Sequence, residues 1–554
     1  MLRAGVLLLV VALSLAAPGV AAAGSPRPSH LQVVAHPDDD MLFMSPDVPL
    51  AIRAGARVTT VFLTAGESDV QPQAEYAASR QAGARAAFAA MAGVADEWTR
   101  SVLELPGHRL VEWYRLRQRP SVGLVFLGLP DDNNPRSRHA LSRLWHEPGH
   151  RERTITAAGS IVPPTSHDRA SVIECLIRLR ETFAPTLIRA QDPRPDPRYQ
   201  QQWGSAHDHP DHVAAARFTE TALRATGLPL LNYRDYNVAD APPNLPERVV
   251  ADKRAVFARY AEHDSQVSLG EPYDAWIASM RLRRPPGTRW ASADGHVQVR
   301  RNELVLSRSG VESVVDTPGF VPRDGSASFA GPGTIVAQER DSGAVWLKEG
   351  PRSWRPLGLP PPRNPGVDLG PPSAVPVRDG VVVALRDAGG GVSVRTAGGW
   401  CRLGGNDVGD EVSAVVGSGG AVHVLAASRS GMLHWRLTAA GCGQQVTSGE
   451  RPVGAIATTS GYATYRDVRG DLVVLAEAAG WTRVRTIDAR AISDPAIAPG
   501  PVLAARNADG LLVIYEPEGE TTLGPIESQP ALSPDGDQAA ALTGDGLVRT
   551  FRVP

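Results

Sequence analysis

Two clusters of histidine and aspartate are the residues of this sequence best suited to chemistry. The first spans His36–Asp40 and the second spans His207–His212. Imidazole nitrogens and carboxylate oxygens together bind divalent metal ions, and zinc is a common choice in hydrolytic sites. Two adjacent carboxylates after one histidine can divide the work, because one can bind the metal while the other takes a proton from metal-bound water. The residues alone leave open which of Asp38 and Asp39 has which task.

The second cluster precedes a predicted helix that begins at Val213. His209 and His212 are three residues apart, so that one can bind a metal while the other faces the substrate. His207 and Asp208 add a further pair. We interpret that pair as part of a solvated loop, with a substrate-facing position as the alternative.

The elements that must position these clusters alternate between short apolar runs and helix-length segments from Leu31 to about Gln266. The predicted buried strands are Leu31–Ala35, Val58–Leu63, Val122–Leu127 and Thr186–Arg189. The predicted helices are Glu75–Ala92, Arg169–Thr182 and Val213–Ala225. This order implies crossover connections and an α/β domain with a Rossmann-like, mostly parallel sheet. Ligands of such sheets bind beyond the carboxyl ends of the strands, where the polar clusters are predicted to lie.

After about residue 288 the helical spacing gives way to short alternating strands. A turn rich in Gly and Asp recurs about every 40 residues, which is typical of β-propeller blades. We predict an all-β, propeller-like domain of six or seven blades, whose last strand completes the first blade; a pair of β-sandwiches is the alternative. The tryptophans expected to pack between blades rather than stack on sugars are Trp346, Trp354, Trp400, Trp435 and Trp481.

Composition limits the possible functions. The 554 residues exceed what one hydrophobic core fills, so at least two domains are expected. The 57 Lys and Arg against 59 Asp and Glu give no support for binding nucleic acid through bulk charge. Three cysteines are too few for a disulfide scaffold. Cys401 and Cys442 could pair in an oxidising compartment, whereas Cys175 lies in an apolar helical pattern and is expected in the core.

The N-terminus is typical of an export signal. Arg3 precedes an apolar run from Val6 to Ala17, and Ala21–Ala23 supply the small residues of a cleavage site. The run is short for a membrane span of roughly 20 residues. We therefore expect a signal peptide at 1–23 and a secreted protein without stable membrane insertion, with an uncleaved anchor as the alternative. The expected domains are then 24–282 and 288–554.

Three motifs resemble the PIG-L (LmbE-like) family of zinc-dependent N-deacetylases, namely Ala35–Asp39, Thr64–Glu67 and His209–His212. Lys253 together with His263–Gln266 resembles the closing helix of that family. The resemblance covers roughly residues 30–270. Members of the family remove acetyl groups from glycoconjugates that contain N-acetylglucosamine. The resemblance therefore implies a hydrolase that acts on a linear amide bond of a glycan.

The resemblance also implies a role for each matching residue. The implied ligands of zinc, or of another divalent ion such as Fe²⁺, are His36, Asp39 and His212. Asp38 would act first as general base and then as acid, and His209 would stabilise the oxyanion. Asp211 would orient a histidine, and Arg80 would contact the sugar. We also expect Asp131, which follows the predicted strand Val122–Leu127, to bind the substrate. Three features depart from the family pattern: Asp40 stands for the usual Glu, Gly83 replaces the Glu of the Arg-x-x-Glu motif, and His207 with Asp208 adds a further His-Asp pair.

Two other functions compete with this prediction. His36, Asp38 and the distant His212 imitate the two-histidine, one-carboxylate triad of non-heme iron oxygenases. Those sites normally lie within all-β jelly rolls, whereas this motif ends a strand that leads into a helix. The other alternative is a non-enzymatic glycan-binding protein, against which the intact set of expected catalytic positions argues.

Overall fold

The computed structural model describes residues 27–195, 208–223, 226–283, 289–292, 295–300, 303–308, 311–331, 333–362, 369–437 and 442–553. The expected signal peptide, His207 and most of the segment between the two expected domains lie outside these residues. No helix among the described residues combines the length and the apolar character needed to cross a bilayer.

The N-terminal domain contains nine strands and eight α-helices among the described residues. The strands are β1 (Ser29–Val34), β2 (Arg57–Thr64), β3 (Trp98–Leu105), β4 (Arg109–Leu116), β5 (Val122–Leu129), β6 (Glu152–Arg153), β7 (Ser166–His167), β8 (Leu187–Ala190) and β9 (Leu230–Asn232). The helices are α1 (Asp39–Phe43), α2 (Asp47–Arg53), α3 (Gln73–Ala92), α4 (Ala140–His146), α5 (Arg169–Phe183), α6 (Pro210–Leu223), α7 (Glu247–Ala261) and α8 (Tyr273–Ile277).

Seven of these strands form one sheet in the order β3-β4-β5-β2-β1-β8-β9. The five strands from β5 to β9 in this order pair in parallel, and β3 and β4 extend the sheet as an antiparallel hairpin. Val34 and Phe62 pack on the side of α3 and α7, whereas Val33 and Val61 pack on the side of α5 and α6. Neighbouring residues of a strand face opposite sides, so a sheet covered on both faces needs continuous apolar runs. The predicted Rossmann-like, mostly parallel sheet is confirmed.

Two elements differ from the prediction. The helix that carries the second cluster begins at Pro210 rather than at Val213. Proline suits the first helical turn, whose backbone N–H groups have no partner inside the helix, and His212 consequently lies within that turn. The β3–β4 hairpin was not predicted, because its half-exposed strands lack the apolar runs that marked the buried ones.

The C-terminal domain is a β-propeller of seven blades. The blades are β10–β13 (Arg289–Ser292, Gly295–Arg300, Glu303–Arg308, Val311–Val315), β14–β17 (Ser328–Phe329, Thr334–Gln338, Val345–Glu349, Arg355–Gly358), β18–β21 (Ser373–Val377, Gly380–Arg386, Val392–Thr396, Gly399–Gly404), β22–β25 (Val408–Val416, Val422–Ser428, Gly431–Arg436, Gln444–Thr447), β26–β29 (Ala457–Thr459, Tyr462–Arg466, Leu472–Ala476, Thr482–Ile487), β30–β33 (Ala496–Ala498, Val502–Arg506, Leu511–Glu516, Gly519–Pro525) and β34–β36 (Ala531–Leu532, Gln538–Leu542, Val548–Arg552).

The first strands of neighbouring blades contact one another around the whole ring, and β34 of the last blade contacts β10 of the first. The β-sandwich alternative is therefore wrong. The prediction that the last strand completes the first blade is also wrong, because β36 pairs with β35 in a three-stranded seventh blade. The first blade has four strands of its own, so it leaves no position for the C-terminal strand.

Two of the three cysteines form a disulfide, and the third cysteine and three tryptophans of the repeats are buried. Cys401 and Cys442 form a disulfide, and Cys175 is buried in the N-terminal core with a free thiol. Trp435 is completely buried between the third and fourth blades. Trp354 and Trp481 are also buried, which supports packing rather than sugar stacking for these residues.

The two domains meet across a charged interface. The ion pairs that cross it include the buried pairs Arg189–Glu527, Asp47–Arg506 and Arg234–Asp410 and the more exposed pairs Arg248–Asp509 and Asp240–Arg429. Arg189 and Asp47 have no exposed surface. The propeller consequently covers charged side chains of the N-terminal domain that would otherwise lie open.

Candidate metal centre and active site

The two histidine and aspartate clusters meet at the carboxyl edge of the parallel strands. His36 follows β1, and Asp39 is the first residue of α1. His212 comes from the first turn of α6. The backbone N–H of Ala35, directly after β1, donates to the side-chain carbonyl of Gln191, which follows β8 (2.8 Å). The ends of neighbouring parallel strands thus fix the loop that carries the first cluster.

The three predicted metal ligands converge on one point. The Nε2 atom of His212 lies 3.2 Å from Nδ1 of His36 and 3.1 Å from Oδ1 of Asp39. The Nδ1 atom of His36 lies 3.4 Å from Oδ2 of Asp39. Bond lengths of about 2.0–2.1 Å in a tetrahedral zinc site separate the ligand atoms by about 3.3 Å. Two imidazoles and one carboxylate at these distances fit a catalytic metal ion, with a coordination position left for water.

The outward-facing nitrogen of each ligand histidine meets a buried carboxylate. Nε2 of His36 lies 3.1 Å from Oδ2 of Asp211, and Nδ1 of His212 lies 2.7 Å from Oδ1 of Asp208. Such carboxylates select the tautomer and the ring orientation of a ligand histidine. The interpretation of Asp208 as part of a solvated loop is wrong, since Asp208 is 2% exposed. Its carboxylate turns back onto the first turn of α6, a direction that residue type and spacing do not specify.

The electrostatics of the ligand histidines favour a cation at their centre. Burial lowers the pKa of His36, but Asp39 and Asp211 outweigh it and raise that pKa to about 10. Burial likewise lowers the pKa of His212, while Asp39 and Asp235 raise it well above its usual value. Negative charge thus surrounds both rings. A divalent cation at this point would balance that charge in place of protons.

Asp38 has different neighbours from Asp39. Burial raises its pKa, Arg80 lowers it and Asp39 raises it, with a result of about 6. Oδ1 of Asp38 accepts a hydrogen bond from Nη2 of Arg80 (2.7 Å). A carboxylate with a pKa near this value can accept a proton at neutral pH and return it, as a general base and acid must. The geometry therefore gives the two adjacent aspartates separate partners.

Arg80 contacts protein groups at all three nitrogens. Its Nη1 donates to the carbonyl of Gly66 (2.8 Å), and its Nε donates to the hydroxyl of Tyr260 (2.6 Å) and lies 3.0 Å from Oδ2 of Asp264. Arg80 is 8% exposed. It is therefore placed to orient Asp38, while the sugar contact assigned to it from the resemblance stays a prediction.

Gly83 explains how Arg80 keeps its orientation without a Glu at that position. A Cβ atom on Gly83 would lie 2.8 Å from Cδ2 of Tyr260 and 2.9 Å from its carbonyl oxygen. Because Gly83 has no side chain, there is room for the ring of Tyr260. The hydroxyl of Tyr260 donates to Asp264 (2.6 Å). The acidic partner of Arg80 thus comes from Asp264, at the end of the segment that resembles the closing helix of the family.

His209 and Asp131 lie beside the ligand histidines. The backbone N–H of Asp211 donates to Nδ1 of His209 (3.2 Å), and the side-chain amide nitrogen of Asn133 lies 2.9 Å from Nε2 of His209. Burial, together with His36 and His212, lowers the pKa of His209 well below its usual value. Oδ2 of Asp131 lies 3.5 Å from Nε2 of His36. Asp131 is 3% exposed, and its role in substrate binding stays a prediction.

Two aromatic residues near the centre were not found by sequence reasoning. The ring of Tyr236 lies 4.9 Å from that of His212 and stacks on Trp276 at 4.4 Å. Asp235, which precedes Tyr236, has a carboxylate oxygen 4.0 Å from Nδ1 of His212. These residues lie outside the motifs and carry no spacing pattern, so nothing in the sequence marked them.

One comparison with known proteins bears on the N-terminal domain. Residues 31–223 match the family model described as PIG-L: GlcNAc-PI de-N-acetylase, and this range includes both clusters. No curated protein matched the chain. A structure of streptogramin B lyase has 12% identity and a TM-score of 0.36, covering 49% of this chain and 93% of that chain. BamB from Moraxella catarrhalis has 16% identity and a TM-score of 0.32, covering 48% of this chain and 84% of that chain.

Proposed function

We propose, from the premise that residues 31–223 are a PIG-L domain, that this protein is an exported, metal-dependent deacetylase of N-acetylglucosamine-type glycoconjugates. The observation that carries the proposal is the convergence of His36, Asp39 and His212 on one point, with Asp38 beside them. The family match supports the reaction class. Zinc is the metal we propose, because the donor set and the separations of its atoms suit it.

The residues of this centre can divide the hydrolysis of an acetamide among them. His36, Asp39 and His212 would hold the ion, which when bound polarises the acetyl carbonyl and acidifies water. Asp38 takes the proton of the attacking water and passes it to the departing amine. His209 would donate a hydrogen bond to the carbonyl oxygen as negative charge develops there. The products are acetate and a free amino sugar.

Export and an extracellular glycan as substrate are supported by two features. The sequence of residues 1–23 has the charge, the apolar run and the cleavage site of a signal peptide. The Cys401–Cys442 disulfide suits an oxidising compartment, where such bonds persist. We therefore propose that the substrate is a glycan outside the cell.

Acetate release from a panel of N-acetylglucosamine glycans, with and without a chelator, tests this function. We expect acetate release that the chelator abolishes and zinc restores. His212→Ala should lose both the bound metal and the activity, whereas His108→Ala, with its side chain 95% exposed, should retain both. Asp38→Asn should retain the metal and lose about 10²–10⁴-fold in kcat.

Two outcomes would contradict the proposal. A zinc-loaded protein that releases no acetate from any glycan but still binds one would favour the glycan-binding alternative. Activity of Asp38→Asn equal to that of the wild type would remove Asp38 from the reaction.

The oxygenase alternative requires Asp38 as an iron ligand, but its carboxylate meets Arg80 while Asp39 faces the histidines.

A further inference from the structure

The exposed charges of the segment beside the metal centre are mostly positive. This segment, residues 131–169, follows β5 and ends at the first residue of α5. It contains six arginines, which are Arg136, Arg138, Arg143, Arg151, Arg153 and Arg169. It contains five acidic residues, which are Asp131, Asp132, Glu147, Glu152 and Asp168. Because Asp131, Asp132 and Glu152 are buried, only two carboxylates remain near the surface to balance the arginines.

Each of these two carboxylates is paired with one arginine. Oε2 of Glu147 lies 3.1 Å from Nε of Arg143, and Oδ2 of Asp168 lies 2.6 Å from Nη1 of Arg151. The other four arginines are exposed and make no ion pair with the described residues. We call them the basic rim, and they are Arg136, Arg138, Arg153 and Arg169.

Helix α4 and the β6–β7 pair bring the basic rim to one surface. Arg138 lies two residues before α4, and the guanidinium of Arg169 lies 4.0 Å from the ring centre of Trp145, in the last turn of α4. The seven residues of α4 span about 10 Å. Arg153 of β6 pairs with Ser166 of β7, three residues before Arg169. The four charges are therefore spread along one side of the segment.

The loop that carries Arg136 and Arg138 is in contact with the metal centre. The side-chain amide nitrogen of Asn133 lies 2.9 Å from Nε2 of His209. The backbone N–H of Arg136 donates to Oδ1 of Asn134 (2.9 Å), which holds the turn of this loop. Asn133 and Arg136 are three residues apart, so their Cα atoms are at most about 11 Å apart. The basic rim consequently begins next to the residues that we propose meet the acetamide.

We propose that the basic rim binds the carboxylates of an acidic glycan whose N-acetylated sugar occupies the metal centre. The proposal rests on the deacetylase function proposed above, and it narrows the substrate to a glycan that also contains uronic acids. Guanidinium groups form paired hydrogen bonds with carboxylates. Unpaired charges spread along one surface suit a chain with repeated negative charges. The net charge of the whole chain is −2, so the attraction comes from this surface rather than from the protein as a whole.

Two hexasaccharides of equal length test the basic rim. Hyaluronan hexasaccharide alternates N-acetylglucosamine with glucuronate, whereas chitohexaose contains N-acetylglucosamine units without carboxylates. Isothermal titration calorimetry uses the zinc-loaded, full-length Asp38→Asn protein, whose slow turnover leaves the ligand intact. At low ionic strength we expect the hyaluronan hexasaccharide to bind at least about tenfold more tightly than chitohexaose. The difference should shrink as sodium chloride is added, because salt screens exposed charges.

A double substitution in the loop of the basic rim locates the binding. Arg136→Gln together with Arg138→Gln should weaken hyaluronan binding about three- to tenfold. With Asp38 intact, the same pair should lower the ratio of kcat/KM for hyaluronan to that for chitohexaose by the same factor. Arg53→Gln together with Arg57→Gln is the matched control. Both residues are exposed, and Arg57 begins β2 at the edge of the sheet opposite the metal centre, so affinity and ratio should not change.

The outcomes separate this proposal from the deacetylase function. Equal affinity for the two hexasaccharides, or equal hyaluronan affinity of the two double variants, would overturn the proposal for the basic rim. Preferred binding of hyaluronan without acetate release from either hexasaccharide would support the basic rim and contradict the deacetylase function. Acetate release from chitohexaose without a preference for hyaluronan would do the reverse. Circular dichroism confirms that each variant is folded.

Discussion

At the scale of single residues, the adjacent aspartates Asp38 and Asp39 differ in what they face. Burial raises the pKa of Asp39, but His212 and His36 lower it well below its usual value. Asp38 faces the guanidinium of Arg80 and keeps a pKa of about 6. The first aspartate is thus placed to exchange protons, while the second stays charged, as its proposed role of metal ligand requires.

Arg80 should control the acid side of the activity profile. Arg80 lowers the pKa of Asp38, so Arg80→Met should raise that pKa. Because the base acts in its deprotonated form, the acid limb of kcat should move to higher pH by about one unit. The pH dependence of kcat for wild type and variant measures the shift. Arg85→Met on the same helix is the control, and an unchanged acid limb in Arg80→Met would contradict the assignment.

Asp208 should act on the metal through His212. Asp208→Asn keeps the size of the side chain but removes the charge that fixes Nδ1 of His212 (2.7 Å). Loss of such a partner typically weakens metal binding about 10–100-fold. Competition with a chromophoric chelator measures the zinc affinity. Asp252→Asn, at an exposed position of α7, should leave the affinity unchanged; equal affinities of both variants would contradict the role of Asp208.

At the scale of elements, the contact between α3 and α7 depends on the absence of a Cβ atom at Gly83. Alanine normally suits a helix interior better than glycine by about 0.5–1 kcal/mol. At Gly83, however, the added Cβ would lie 2.8 Å from the ring of Tyr260 and 2.9 Å from its carbonyl oxygen. The two helices would have to separate, and the hydrogen bond from Arg80 to Tyr260 would lengthen.

Gly83→Ala should therefore destabilise the protein by about 1–3 kcal/mol and reduce deacetylation. Urea unfolding and initial rates of acetate release measure the two effects. Gly419→Ala provides a control, because a Cβ at Gly419 meets no atom within 4 Å. A Gly83→Ala variant that is more stable than the wild type and fully active would show that the close contact between Gly83 and Tyr260 does not fix the position of Tyr260.

At the scale of the whole molecule, buried ion pairs join the propeller to the N-terminal domain and contribute to the stability of the whole chain. Glu527→Gln leaves Arg189, which has no exposed surface, without its carboxylate partner. Breaking a buried pair from one side costs about 3–5 kcal/mol. Guanidinium chloride unfolding of the full chain measures this loss.

The exposed pair Arg248–Asp509 is the matched control at the same interface. Its two side chains are 61% and 58% exposed, so Asp509→Asn should cost less than about 1 kcal/mol. An equal, small effect of Glu527→Gln and Asp509→Asn would contradict the structural role of the buried network.

The sequence predicts a structural element only where the pattern that marks the element lies in neighbouring residues. Apolar runs and helical spacing predicted β1, β2, β5 and β8 and three of the helices, and the turn period predicted the propeller, because these patterns follow from the periods of strand and helix. The half-exposed β3–β4 hairpin carries no such pattern. A closed ring was predicted, but the prediction that the last strand completes the first blade was wrong, because the period of the turns does not show which strands pair where the ring closes.

The histidine and aspartate motifs by themselves predicted metal-dependent hydrolysis, and the resemblance implied which residues would be the ligands. Only the tertiary structure decided that Asp208 faces His212, that Asp264 replaces the missing Glu as the partner of Arg80, and that the domains share buried charges. Each of these contacts depends on the direction in which a buried side chain points. Apart from Asp208, the partners are also distant in the chain, and packing rather than local spacing brings them together.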